Sequence, residues 1–316
     1  MLRRLAFALL VLACSAAAWA QEKYPSRPIE FIVPFGPGGG ADQLARKMAS
    51  LLEPELKVSV PVVNVPGATG NTGMAKLLAA PADGYTVSVF IADTFAGLAT
   101  GGSRWRIADI VALGIMIRQP SALFVKADSP LQSWKDVVKE AKANPGKLKA
   151  AIVGLGSVDE MVLKYMEGKG TRLTGVPFSR PGERYASILG GHADILYEQP
   201  GDVRRFLDAK QMRTILMFNP ERVLPEFAAV PSSKEVGLEI YLPQFRSVIV
   251  KAGTDPQRVK LLAAAVEKVA NDPEYYGFLK ESLALRDSFI PAAKAQKFFE
   301  GELAAMQKFA ARLKQQ

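Results

Sequence analysis

The chain has 316 residues, with 40 Lys and Arg against 31 Asp and Glu, a formal charge of +9, and 49% apolar residues. That is enough apolar material for a packed core and excludes wholesale disorder, while the length favours two domains over one. A single Cys and a single His leave little for zinc modules or disulfide frameworks, and the scattered, sign-mixed charges argue against nucleic acid as a partner.

At the N-terminus, Arg3 and Arg4 precede an apolar run over 5–12 and the small-x-small site Ala18-Trp19-Ala20. This reads as a secretory signal peptide over residues 1–20, too short to span a membrane, with a mature chain starting at Gln21 in a bacterial periplasm. Cys14 lies inside it. The sequence Val11-Leu12-Ala13-Cys14 offers a lipid-anchor alternative, but Leu12 fits a lipobox poorly, and cleavage after Ala20 is the reading adopted.

Strands then alternate with helices, the pattern of a parallel α/β architecture. A strand over 29–33 leads through a loop over 34–40 into a helix over 41–52, expected to stop before Pro54. A strand over 58–63, a loop over 64–70, a helix to about 79, the Asp83-Gly84 turn and a strand over 85–91 follow. Ser133-Trp134-Lys135-Asp136 resembles a capping box opening a helix to about 143, which Asn144-Pro145-Gly146 stops. The reading continues with a strand over 148–153, a loop over 154–157 and a helix over 158–167. A short strand ends at 176–178, a helix covers 182–189, and strands cover 193–197, 213–217 and 247–250. Two long amphipathic helices, over 256–270 and 292–313, complete the chain.

The unit strand, glycine loop, helix recurs, and two of these loops follow successive strands of one sheet. Gly38-Gly39-Gly40 precedes Ala41-Asp42, and Gly67-Ala68-Thr69-Gly70-Asn71 precedes the second helix. Unpaired N–H groups and the macrodipole at a helix start attract an anion, and glycine lets the backbone approach it. Both loops should open at the carboxyl edge of the sheet, the usual ligand crevice of such folds. Gly36 to Ala41 also fits G-x-G-x-x-A, but the next strand ends at Val63-Asn64, with no acid to hold a ribose. Catalytic material is thin. His192 sits in a turn-like stretch, no G-x-S-x-G elbow exists, and Asp159 and Glu160 are adjacent on a helix and point apart. A binding protein without cofactor or metal is expected.

These motifs resemble a known family. Tyr24-Pro25-Ser26-Arg27-Pro28-Ile29, Val33-Pro34-Phe35-Gly36-Pro37-Gly38-Gly39, Pro66-Gly67-Ala68-Thr69-Gly70-Asn71-Thr72-Gly73 and Asp83-Gly84-Tyr85-Thr86 are similar to the Bug, or TctC, receptors of tripartite tricarboxylate transporters. Asn144-Pro145-Gly146-Lys147-Leu148, Leu189-Gly190-Gly191-His192-Ala193-Asp194 and Ala252-Gly253-Thr254-Asp255-Pro256 continue the likeness in the same order. The resemblance implies a two-domain α/β periplasmic-binding-protein (Venus flytrap, type II-like) fold with the ligand cleft between domains. Domain 1 would be 22–120 plus 247–316 and domain 2 121–246, crossed by strands near 122–125 and 246–250. It also implies a monomer that closes on a small carboxylate, a di- or tricarboxylate or an aromatic acid, and delivers it to a membrane permease. A ligand-binding sensor acting on a membrane partner is the alternative, and an exported enzyme using the same cleft, through His192 or Glu198, a more distant one.

By motif match, the implied ligand positions are Phe35, Gly38, Gly39, Gly40, Ala41, Asp42, Ala68, Thr69 and Asn71 on domain 1. On domain 2 they are Gly156, Ser157, Phe178, Ser179, Arg180 and Glu198. Asp93, after the third strand, departs from the family pattern, as do Asp159-Glu160, Ser179-Arg180 and Glu198, all where selectivity should reside. Arg180 and Arg246 are candidates for a second ligand carboxylate, since a guanidinium offers bidentate bonds; surface or interdomain roles are the alternative for each. Asp42 is expected to cap its helix rather than meet the ligand.

Overall fold

The computed structural model describes residues 23–242 and 244–313; the expected signal peptide and Cys14 lie outside them. The chain opens with β1 (Glu30–Val33), α1 (Gly40–Leu56), β2 (Val62–Asn64), α2 (Asn71–Ala79), β3 (Thr86–Ile91), α3 (Ala92–Thr100) and β4 (Ile110–Gln119). It continues with β5 (Ser121–Lys126), α4 (Trp134–Ala143), β6 (Lys149–Ile152), α5 (Val158–Gly168), β7 (Thr174–Pro177), α6 (Pro181–Leu189), β8 (Ile195–Glu198), α7 (Arg204–Asp208) and β9 (Met212–Phe218). It ends with β10 (Gln244–Lys251), α8 (Pro256–Ala270), α9 (Pro273–Glu281), β11 (Ile290–Pro291) and α10 (Ala292–Leu313).

These strands form two sheets, ordered β11-β4-β10-β3-β1-β2 and β7-β6-β8-β5-β9. Each sheet with its flanking helices makes one lobe. In the first, β1 runs parallel to β2 and β3, and β10 lies antiparallel between β3 and β4. Alternation along the strands divides the core. Phe31, Val33 and Val89 face Leu44 and Met48 of α1 and Leu262 and Val266 of α8. Ile32 and Phe90 face the opposite layer with Met74, Leu77, Phe95 and Phe299. There Phe90 meets Phe95 edge-on, ring centroids 5.6 Å apart. In the second lobe Phe124 and Leu196 pack on Tyr185 and Ile188 of α6. A ring contact at 5.5 Å between Tyr165 of α5 and Phe309 of α10 joins the lobes.

The α/β alternation is as the sequence indicates, and α8 and α10 have the expected bounds. Other details differ. Helix α1 passes through Pro54 to Leu56 before Lys57 closes it in the left-handed region at φ 60°. A proline in the last turn forfeits one backbone bond, and burial of Leu52 and Leu56 outweighs that loss. The strand expected over 58–63 shrinks to Val62–Asn64, although Ile29 and Phe31 N–H still reach the Ser59 and Pro61 carbonyls at 3.0 and 2.8 Å. Pro61 has no N–H to continue the ladder. At α4 the expected capping box is absent: the Ser133 hydroxyl donates to Asp136 Oδ2 at 2.8 Å instead of accepting a backbone N–H. Helices α3 and α9 and strand β4 had no counterpart in the sequence reading. Nor do β5 and β10 each cross between lobes: β5 lies in the second sheet and β10 in the first. The chain changes sheet at Pro120, where a missing N–H interrupts the ladder, and again between β9 and β10.

Candidate functional site

The carboxyl ends of β1 and β3 and the facing ends of β6 and β8 meet at the seam between the lobes. A cavity of about 30 Å³ lies there. From the first lobe it takes Phe35, Gly39, Gly40, Ala41, Asp93 and Arg246. From the second it takes Val153, Asp159, Arg184, Glu198, Gln199 and Asp202. Space of this size holds about one water molecule.

The first glycine loop reaches the cavity as expected. Gly38 takes φ 84°, a left-handed turn that glycine adopts freely. Helix α1 begins at Gly40 with no side-chain cap. The N–H groups of Gly39, Gly40, Ala41 and Asp42 have no hydrogen-bond acceptor among the described residues, so the positive end of a 17-residue helix is open to the cavity. Asp42 neither caps that helix nor faces the cavity. Its buried carboxylate accepts from Gly38 N–H, Arg46 and Asn64, each at 2.9 Å, fixing the loop. Burial pushes its pKa up, but these hydrogen bonds prevail and hold it below the usual carboxylate range.

The second loop lies beside the first, since Asn64 donates to the Phe35 carbonyl at 3.0 Å, yet Ala68, Thr69 and Asn71 do not line the cavity. Ala68 and Thr69 hold left-handed φ of 47° and 52°, a costly conformation for residues with a Cβ. Thr69 Oγ1 donates across the seam to the Leu155 carbonyl at 2.8 Å. The Asn71 amide is occupied within its lobe, donating to Ala68 O at 2.9 Å and accepting from Trp105 Nε1 at 2.9 Å. In the opposing lobe Ser157 caps α5, its hydroxyl accepting from Glu160 N–H at 3.2 Å. Gly156 is half-buried beside it, and its N–H donates to Glu160 Oε2 at 2.6 Å. Phe178 is half-buried, and Ser179 and Arg180 are exposed. Arg180 pairs with Glu183 at 3.2 Å rather than facing the cavity.

Charge in the cavity is concentrated in six side chains. Arg246, the second arginine singled out from sequence, is buried at 5% exposure and committed to the opposite lobe. It forms an ion pair with Asp202 and donates to Gln199 Oε1 at 3.2 Å. The contact is tight at Gly40, where a Cβ would fall 2.2 Å from Arg246 Nη2 and 2.3 Å from Asp202 Oδ1. Arg184 pairs with Glu198, which also accepts from Tyr185 at 3.0 Å. The Arg184 Nε–H is buried without a partner. Burial pushes the Glu198 carboxyl up to about 7, against the pull of Arg184.

Asp93 and Asp159 meet across the seam. Asp93 Oδ1 accepts from Val158 N–H, the first residue of α5, at 3.1 Å, and from Gln244 at 3.3 Å. Asp159 Oδ2 accepts from Val153 N–H at 2.8 Å. The two carboxyls act on each other electrostatically across the seam. Burial raises both, and Asp159 further because the Asp93 charge opposes its own.

Arg184, Gln199 and Asp202 have no counterpart in the sequence reading as cavity residues, whereas Asp159 falls where the resemblance puts selectivity. A signal for Arg184 was present: Pro181, Arg184, Tyr185 and Ile188 form the buried stripe of α6, so a charge on that stripe is a buried charge. Asp159 likewise sits on the buried stripe of α5 with Val162 and Met166. Asp202 and Gln199 lie in a connection whose path no local pattern sets. His192 is exposed and is not among the residues lining the cavity. Among the described residues, no group of His, Cys, Asp and Glu could hold a metal, and no helix is long and apolar enough to cross a membrane.

A family model described as the tripartite tricarboxylate transporter family receptor, TctC, matches residues 44–308. The protein BugT of Bordetella pertussis is 29% identical over 255 residues, covering 78% of this chain and 77% of its own. MatC from Rhodopseudomonas palustris, solved with bound malate, superposes with a TM-score of 0.84 at 22% identity, covering 91% of this chain and 100% of that one. A second R. palustris protein, solved with adipate, has a TM-score of 0.81 at 23% identity, covering 92% and 98%. These likenesses show the two-lobed fold of periplasmic binding proteins.

Proposed function

Given that the chain belongs to the TctC family of tripartite tricarboxylate transporter receptors, we propose that it captures a small carboxylic acid between its lobes and presents the closed form to membrane subunits of such a transporter. Among the described residues the lobes correspond to 23–120 with 244–313 and to 121–242, the boundary expected at 246/247 moving forward because β10 begins at Gln244 in the first sheet. Export through residues 1–20 would place the receptor in the periplasm. The observation that carries the reading is the open start of α1: four unpartnered N–H groups, from Gly39 to Asp42, at the seam of two lobes. A carboxylate placed there gains charge-assisted hydrogen bonds and the helix dipole. Two structural relatives solved with malate and adipate support this chemistry.

Closure supplies the signal. The lobes touch through Thr69 and Leu155, Asp93 and Val158, and Arg246 and Asp202. The cavity between them takes a water and not an organic acid, so a ligand enters when the lobes part. Its effect equals its differential affinity for the forms. A thermal-shift panel of mono-, di- and tricarboxylates and aromatic acids tests the reading: a true ligand at a hundredfold above Kd stabilises by about 2.7 kcal/mol. No shift with any acid refutes it. Ligand-dependent capture of the permease subunits tests delivery, and capture of a signalling protein instead would favour the sensor reading.

A further inference from the structure

The ligand's carboxylate accounts for only one side of the cavity, and the other side is acidic. The ionisable residues lining it are Asp93, Asp159, Glu198 and Asp202 against Arg184 and Arg246. Both arginines are engaged, Arg184 by Glu198 and Arg246 by Asp202. Neither Asp93 nor Asp159 has an ion-pair partner among the described residues: the Arg184 charge reaches both but is paired with Glu198, and their hydrogen-bond donors are the N–H groups of Val158 and Val153 and the Gln244 amide. Both aspartates are at most 5% exposed. A second, independent observation concerns another lining residue: Arg184, 5% exposed, has a buried Nε–H with no hydrogen-bond acceptor. A residue with an unmatched donor and two acids without an ion-pair partner therefore line one cavity. Burying either unmatched is costly, and a ligand that bears both complements removes both costs.

Resting on the reading above, we infer that this receptor selects acids that also carry a cationic nitrogen, with the carboxylate directed to the α1 start and Arg184 and the nitrogen to Asp93 and Asp159. A second ligand carboxylate beside this pair would place a third acid in a buried space. An ammonium instead brings a positive charge and several N–H donors to both aspartates. The pair also spans the lobes, Asp93 on α3 and Asp159 on α5, so a cation between them favours closure. Asp93 and Asp159 are thereby the specificity-determining residues of the cleft.

The test compares matched acids on the full mature protein by titration calorimetry. 4-Aminobutanoate, β-alanine and 6-aminohexanoate are set against butanoate, propanoate and hexanoate, with glutarate and adipate as diacids. The aminated acids are expected to bind at least about tenfold tighter than their des-amino partners, the scale of one charge-assisted hydrogen bond. D159N and D93N are each expected to reduce that ratio at least about tenfold. If diacids or plain acids bind as tightly as the aminated ones, the inference fails while the carboxylate reading stands. If no acid in any series binds, both fail. The wild-type comparison decides the matter even if neither variant folds.

Discussion

Replacing Arg246 by Met isolates the ion pair at the centre of the seam. Arg246 belongs to β10 of the first lobe and Asp202 follows β8 of the second, and their side chains are 6% and 4% exposed. The substitution keeps a long apolar stem but leaves the Asp202 carboxylate buried with no cation. Removing one partner of such a buried pair costs about 3–5 kcal/mol, because the survivor keeps its desolvation penalty. At about 2–4 °C per kcal/mol for a large domain, melting should fall by roughly 6–20 °C. The double variant R246M/D202N removes the orphaned charge, and it should recover a large part of that loss. The assay is thermal and urea unfolding of the four proteins of the cycle, with small-angle scattering to follow lobe separation. A loss under about 1 kcal/mol for R246M, or additivity of the two substitutions within about 0.5 kcal/mol, would refute the assignment of the pair as a buried interlobe contact.

Gly201 offers a way to hold the lobes apart without touching the charges. A Cβ there would lie 1.9 Å from the Ser282 carbonyl oxygen, a backbone atom that cannot swing aside. G201A should enlarge the radius of gyration and weaken ligand binding at least about tenfold; unchanged scattering and affinity would contradict the contact. The raised acids give a pH dependence of definite sign. Glu198 titrates near 7 when folded against an ordinary 4.5, so its contribution is fully present below about 4.5 and is lost as pH rises to about 7. That loss amounts to roughly 3 kcal/mol, and Asp93 and Asp159 act in the same direction. Melting temperature should therefore fall as pH rises from 5 to 7.5, and E198Q should flatten the profile; a rise over that window would falsify the assignment. Finally, H192A should leave both stability and acid-induced thermal shifts unchanged, because His192 is exposed and outside the cavity lining. A lost shift would reopen the reading of the cleft as an enzyme site.

The sequence by itself determined whatever depends on local periodicity and on residues with unusual backbone chemistry. The amphipathic stripes of α8 and α10 and the N-terminal Pro256 fixed those elements, and Gly38 to Ala41 marked the open helix start, because each signal needs only neighbours along the chain. Helix α3 escaped because it follows β3 without an intervening loop, and its Phe95 is helical through packing on Phe90, Phe245 and Phe299. The charges of the cavity belong only to the tertiary structure. Asp93 and Asp159 are 66 positions apart, as the numbering gives, and nothing local tells either one that it faces another acid in a dry space. Lobe packing removes their water, and only then does desolvation raise the pKa of two ordinary carboxylates.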